Sequence, residues 1–337
     1  MTSTAAPAGS RVLITGVTGL LGSGIATKVL EAGYKVVAVV RNQEKADIVR
    51  AAYEKRFGSG SFETVLVDDI SAPGALNDAL QGKFEFPGDI SYGTDPAIVT
   101  NTVRMAENII TSAAAVPSIK RFVYTSSNQT LALNTRTPAH ITPASWNEVS
   151  VPAVEEIQPG DPWSPENARH VYSASKIQAE KALWKFVEEK KPGFVLNTVC
   201  PNFTIGANLD PRLVSSTNGV IVGVYSGNEK AIMTGKMVLP QYFIGLNDVG
   251  LLHLGALTLE DVKGERLIGL IEPITYNDVV EVLMKLDPSK KFDKAPEGEK
   301  CVATVDLARS KEVLKALGKD NFDSLETAIS QCISSLQ

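Results

Sequence analysis

Cysteine is scarce in this chain, with three in 337 residues. Cys200, Cys301 and Cys332 are widely spaced and odd in number, which argues against a disulfide framework and fits a reducing cytosol. Histidine is as rare: His140, His170 and His253 show no paired spacing, so no metal site is expected. There is no basic block or basic arm. Lys and Arg number 33 against 38 Asp and Glu, a net charge of −5, which excludes the broadly basic surface of a nucleic-acid binder. Long apolar runs are missing too. The longest, 36–40 and 219–225, fall far short of the roughly 20 residues that a membrane-spanning helix needs. The first ten residues lack the charged start and apolar centre of a signal peptide and read as a disordered tail, 1–10. No internal repeat or low-complexity tract is present. What remains is a globular composition, 44% hydrophobic and 21% charged, long enough for about two domains or one large α/β unit with a cap.

The first forty residues carry the clearest pattern. Residues 11–15 (RVLIT) are a short apolar run that reads as a buried strand, and TGVTGLLG follows from Thr15 to Gly22. A helix-compatible stretch runs on to Gly33, and YKVVAVV at 34–40 is a second strand. A glycine triplet placed between a strand and a helix, with a second strand at this distance, marks a dinucleotide-binding turn. Gly16 permits the tight turn, Gly19 lets the backbone approach a pyrophosphate, and Gly22 lets helix pack on strand. Thr15, Thr18 and Leu20 complete the cradle, and the helix N-terminus faces the phosphates. After the second strand there is no carboxylate for ribose hydroxyls. Arg41 and Lys45 stand there instead, and two cations suit the 2′-phosphate of NADP. A third strand at 63–67 ends in Asp68 and Asp69, and Asp69 could accept from an adenine amine.

The second constellation lies further on. A strand at 121–124 ends in Thr125-Ser126-Ser127, and YSASK follows about fifty residues later. Tyr172 and Lys176 are four apart and share one face of a helix. A carbonyl that accepts a hydride must also accept a proton. An ammonium brings a phenol pKa down from about 10 towards working pH, and a serine hydroxyl polarises the oxygen.

With Arg41, TGVTGLLG, VYTSS, YSASK and Cys200-Pro201-Asn202 in order, the chain resembles the extended short-chain dehydrogenases/reductases from about residue 10 to 330. Within them it is similar to the dihydroflavonol 4-reductase-like branch, and most of all to NADPH-dependent aldehyde and ketone reductases of yeasts and other fungi. The resemblance implies a Rossmann-type, doubly wound parallel α/β sheet with a smaller C-terminal substrate lobe. It implies Ser127 as the polarising hydroxyl, with Ser126 as fallback, Tyr172 as proton donor and Lys176 as ribose ligand. Pro201 and Asn202 would lie beside the nicotinamide, and hydride would leave the B face of NADPH for an aldehyde or ketone.

One segment departs from the family. The fourth strand is reduced to KFEF at 83–86, running into Pro87-Gly88, about three residues short and with a charge where a buried parallel strand wants Val or Ile. Either it forms a truncated strand, or the sheet has a defect here.

The Pro-dotted region 128–170 reads as a lid or substrate loop, with Trp146 and Trp163 packing it down. Val220, Val224, Met237 and Tyr242 are candidate pocket walls or core, and His253 is expected in the core. Helices are expected at 248–259, 310–317 and 324–336. The expected division is 11–200 with 243–262 as the NADP-binding unit, and 201–242 with 263–337 as the lobe. The expected activity is NADPH-dependent carbonyl reduction by a cytoplasmic monomer or weak homodimer acting on a small molecule, away from membrane and nucleic acid. The alternatives are a sugar-nucleotide epimerase or dehydratase with tightly held NAD, and a non-catalytic dinucleotide sensor or scaffold.

Overall fold

The computed structural model describes residues 4–72, 74–76, 93–158 and 161–336, with the backbone of 83–87. In chain order the dinucleotide half runs β1 (Arg11–Thr15), α1 (Leu20–Glu31), β2 (Lys35–Val40), α2 (Gln43–Phe57), β3 (Phe62–Leu66), β4 (Lys83–Pro87), α3 (Ala97–Ala114) and β5 (Arg121–Thr125). The middle holds β6 (His140–Ile141), α4 (Ser150–Glu155), α5 (Pro165–Lys190), β7 (Val195–Pro201), β8 (Phe203–Ile205), α6 (Ser216–Tyr225) and α7 (Glu229–Val238). The last part holds β9 (Gln241–Gly245), α8 (Leu246–Thr258), β10 (Arg266–Gly269), β11 (Glu272–Ile274), α9 (Tyr276–Leu286), β12 (Thr304–Val305), α10 (Ala308–Ala316) and α11 (Leu325–Ser334).

Seven parallel strands form one sheet in the order β10-β7-β5-β4-β1-β2-β3. Helices cover both faces, which is why β1, β2, β5 and β7 are near-continuous apolar runs rather than alternating ones. One face packs α1 against α8, with Ile25, Val29, Val249 and Leu252 fully buried. The other packs α3 along α5 over Phe122, Ile109 and Leu183. The strand order reverses between β1 and β4, with successive strands added outward to either side of that pair, which opens a crevice at the carboxyl ends of those strands. The smaller lobe is a three-stranded sheet, β11-β9-β8, with a core of its own around Phe243, Ile221, Val280 and Ile329.

The truncated-strand reading of the fourth strand is the observed one. The backbone of Lys83–Pro87 pairs in parallel with β1 on one side and β5 on the other. The approach at 79–82 and Gly88 lie outside the described residues.

Four expectations need correction. The tail is anchored from residue 4: Thr4 bridges Leu259, Ala5 donates its N–H to the Thr258 carbonyl at 2.7 Å, and Ala6 is buried. Small residues hid this, because they can slot against a helix end without leaving a hydrophobic pattern. The lobe does not take all of 263–337. β10 joins the large sheet beside β7, and α10 packs on α8 with Val313 and Leu314 in the large core, whereas β9 takes 243–245 into the small sheet. The region 128–170 is not all loop: α4 lies within it, and α5 starts at Pro165, where proline suits the first helical position and Ser164 Oγ caps Asn167 N at 3.0 Å. Trp146 is packed down, but Trp163 is 65% exposed and Met237 59% exposed, so neither is core.

Candidate active site

The glycine turn behaves as its residue types demand. Gly16 adopts φ +69°, in the left-handed region. A Cβ on Gly22 would lie 2.3 Å from the Gly16 carbonyl oxygen, so only glycine lets α1 approach β1 this closely. α1 begins at Gly19 with no side-chain cap and no acidic residue in its first turn, which leaves its positive end for an anion. Thr18, Gly19 and Leu20 line a narrow crevice whose other wall is Asn208, Leu209 and Leu213 from the lobe. That second wall escaped sequence reasoning, because nothing around Asn208 has a local signature.

A larger cleft of about 220 Å³ lies at the ends of β2 and β3, lined by Arg41, Asp68 and Asp69 and by Ile98, Asn101 and Met105 of α3. Arg41 therefore opens onto this cleft, just past the end of β2. Lys45 is not brought to this cleft. It sits exposed in the first turn of α2, its N–H given to the Asn42 cap at 3.0 Å. Asp69 reaches the cleft, but its Oδ1 accepts from Ser71 N at 2.8 Å and Ser71 Oγ at 2.6 Å. Those two donors hold its carboxyl below the usual range.

The second constellation gathers at the carboxyl ends of β5 and β7. Tyr172 and Lys176 lie on α5, 9% and 2% exposed. Lys176 Nζ donates to the Thr125 carbonyl at 2.8 Å and stands 4.7 Å above the Tyr124 ring. Burial first, then the charges of Glu180, Tyr172 and Cys200, push the Tyr124 phenol well above its ordinary value, so Tyr124 stays protonated. Ser127 is buried at the start of a single 3-10 turn, accepting from Gln129 N at 3.2 Å. Ser126, the fallback, gives its hydroxyl to Glu180 Oε2 at 2.5 Å, which leaves Ser127 as the serine with the weaker internal bonds. Asn202 follows Pro201 at the end of β7. Its Nδ2 is buried and finds no hydrogen-bond partner among the described residues. A buried amide donor in that state fits a ligand acceptor, and with the glycine cradle it makes the site suited to a dinucleotide.

His253 is fully buried, as expected, but it is more than packing. Its Nδ1 lies 2.7 Å from the Val249 carbonyl and its Nε2 3.0 Å from Thr125 Oγ1, on the strand end that holds Lys176.

Comparison with known proteins bears on family and fold. The model of the NAD dependent epimerase/dehydratase family matches residues 12–218. The chain is 38% identical to an NAD-dependent epimerase/dehydratase of Aspergillus terreus over 99% of each chain. It is 34% identical to aldehyde reductase 2 of Sporidiobolus salmonicolor over 98% of this chain and 96% of the relative. In fold it is similar to the crystal structure of yeast methylglyoxal/isovaleraldehyde reductase complexed with NADPH. The TM-score is 0.77 at 23% identity, covering 97% of this chain and 98% of that one.

Proposed function

The chain belongs to the NAD dependent epimerase/dehydratase family, and from that premise we propose that it reduces an aldehyde or ketone to the alcohol with NADPH, using Tyr172, Lys176 and Ser127. The observation that carries the reading is one buried helix face presenting Tyr172 and Lys176, with the lysine head fastened to the Thr125 carbonyl two residues before Ser127. Relatives named as an aldehyde reductase and as ketoreductases support the reaction class.

Bound at the glycine turn, the reduced dinucleotide supplies the hydride. The chain does the rest. Ser127 Oγ–H donates to the substrate oxygen and polarises the carbonyl. Tyr172 gives that oxygen its phenolic proton, and the Lys176 ammonium stabilises the phenolate left behind. Low exposure at Tyr172 and Lys176 keeps water from screening this charge. Asn202 Nδ2 is offered to the nicotinamide end and Arg41 to the 2′-phosphate. A sugar-nucleotide enzyme holding NAD would want a carboxylate where Arg41 stands, and this disfavours that alternative. Three free, buried cysteines support a cytoplasmic setting, in which we read the chain as a monomer or weak homodimer.

The test is NADPH consumption over a panel of aldehydes, ketones and β-keto esters, with Tyr172→Phe as control. Y172F is expected to lose roughly 10²–10⁴-fold in kcat while keeping its NADPH affinity. Undiminished turnover by Y172F overturns the mechanism.

A further inference from the structure

The reaction just described leaves one buried charged cluster unused. Glu180 lies on α5 in the same helical register as Tyr172 and Lys176, eight and four residues on respectively, and is 0% exposed. Its carboxylate accepts from Arg266 Nε at 2.7 Å, Thr198 Oγ1 at 2.9 Å, Trp184 Nε1 at 3.2 Å and Ser126 Oγ at 2.5 Å. Arg266 comes from β10, 86 residues away. It donates to Thr130 Oγ1 at 2.9 Å and to the carbonyls of Pro143 and Ser145 at 2.8 and 2.6 Å, and it stacks on Trp146 with its guanidinium 3.9 Å from the ring centre.

The contacts of this pair bracket Ser127. Ser126, just before it, is fastened to Glu180. Thr130, three residues after it, is fastened to Arg266 and gives its hydroxyl to the Ser127 carbonyl at 2.9 Å. Among the described residues Ser127 itself makes only long hydroxyl contacts, 3.2 Å from Gln129 N and 3.3 Å to Asn128 Oδ1, so its neighbours decide where its oxygen points. Burial alone would raise the Glu180 carboxyl. The Arg266 charge and the ring of donors outweigh that and hold it below the usual range, so it is ionised at neutral pH. A buried pair of this kind gives little net stability over apolar residues of similar volume, so a fold-holding role alone does not explain it.

We infer that Glu180 and Arg266 are positioning residues for carbonyl reduction, setting the Ser127 hydroxyl against the Tyr172 phenol by tying the Ser126–Thr130 turn to the helix that carries the tyrosine. The inference rests on the roles given above to Ser127 and Tyr172. Since one helix bears Tyr172, Lys176 and Glu180, the gap between the two groups that meet the substrate oxygen is set by that single rigid element and one ion pair.

A double-mutant cycle tests it. NADPH-dependent kcat is measured for the wild type, Ser127→Ala, Glu180→Gln and the double variant, with NADPH affinity read by fluorescence and folding by thermal melting. E180Q is expected to lower kcat by about 10²-fold, the scale of an ångström of misplacement, with NADPH affinity unchanged. In the S127A background the same change should cost less than about two-fold, because no hydroxyl is left to misplace. Losses that multiply, or an E180Q enzyme with full kcat, overturn the assignment. If E180Q does not fold, Ser126→Ala removes one donor while keeping the ion pair and carries the same cycle with the same expectations. A wild type inactive on every carbonyl removes the functional reading and this assignment with it. An active wild type with multiplying losses removes this assignment alone.

Discussion

Lys176 and Thr125 are joined by a 2.8 Å hydrogen bond from the lysine Nζ to the main-chain carbonyl. The bond takes one of three ammonium hydrogens. It also sets the lysine head against the carboxyl edge of the sheet, where the reacting groups collect.

Replacing that ammonium has a directional outcome. In the mechanism proposed above, reduction consumes the Tyr172 phenolic proton, so activity is expected to fall on the alkaline side. Lys176→Met removes the charge that favours phenolate and is expected to move the alkaline limb of kcat up by about one unit or more. The same variant should weaken NADPH binding by losing a ribose donor. A kcat profile over pH 6 to about 11 reads the limb, and an unmoved limb contradicts the role of Lys176.

The proposed cofactor preference assigns the 2′-phosphate to Arg41, in the cleft formed with Asp68, Asp69 and α3. Arg41→Asp replaces a 2′-phosphate donor with a repelling charge. The ratio of kcat/KM for NADPH over NADH is expected to fall by about ten-fold or more, the worth of one charge-assisted hydrogen bond. Paired kinetics with the two cofactors give the ratio directly.

Gly22→Ala would place a methyl 2.3 Å from the Gly16 oxygen and 2.6 Å from its carbon. Both are backbone atoms and cannot swing aside, so α1 must move. The expected cost is about 1–3 kcal/mol of stability, together with loss of the melting-temperature rise that NADPH gives the wild type. Thermal melts with and without NADPH separate the two effects.

His253 makes stability depend on pH. Val249 supplies only an acceptor, so Nδ1 carries the hydrogen and Nε2 accepts from Thr125. Burial pushes its pKa down to about 4, so the folded protein holds the ring neutral while the unfolded chain takes up a proton near pH 6.5. Because the unfolded chain binds more protons between those values, stability falls as pH drops from about 6.5 towards 4. The expected loss from pH 7 to 5 is about 2 kcal/mol. His253→Gln, which keeps an acceptor for Thr125 and does not titrate, should flatten the slope. Urea unfolding at the two pH values checks it.

Local chemistry was legible in the sequence where one short segment contains its own reason. Gly16, Gly19 and Gly22 are demanded by a turn eight residues long, and Tyr172 with Lys176 by one helical turn, so both were readable, and both lie at carboxyl ends of strands of the large sheet. Arg41 was readable as the residue that follows β2, and Lys45 was read together with it, but the helix starting at Gln43 carries Lys45 out to solvent. Glu180 and Arg266 were invisible because their pairing spans 86 residues and shows no period. β10 was missed for the same reason, since RLIG is too short to announce a strand and its partner lies far upstream. The start of α5 was hidden by reading Pro165 as loop punctuation, although Ser164 before it is a capping residue.

The position of β10 bears on how this protein is made. The strand that closes the sheet beside β7, and the α10 helix that packs behind it, emerge from the ribosome only after residue 260, long after the glycine turn and the tyrosine helix. Until then β7 has an open edge, Asn197 lacks the Ala256 and Val262 carbonyls that take its amide, and Glu180 is a charge without its arginine. A chain cut after residue 202 would keep every residue assigned to the cofactor site and yet expose a raw sheet edge. Cofactor-competent material is therefore expected to require the downstream third, without which the open edge of β7 is a template for pairing with other chains.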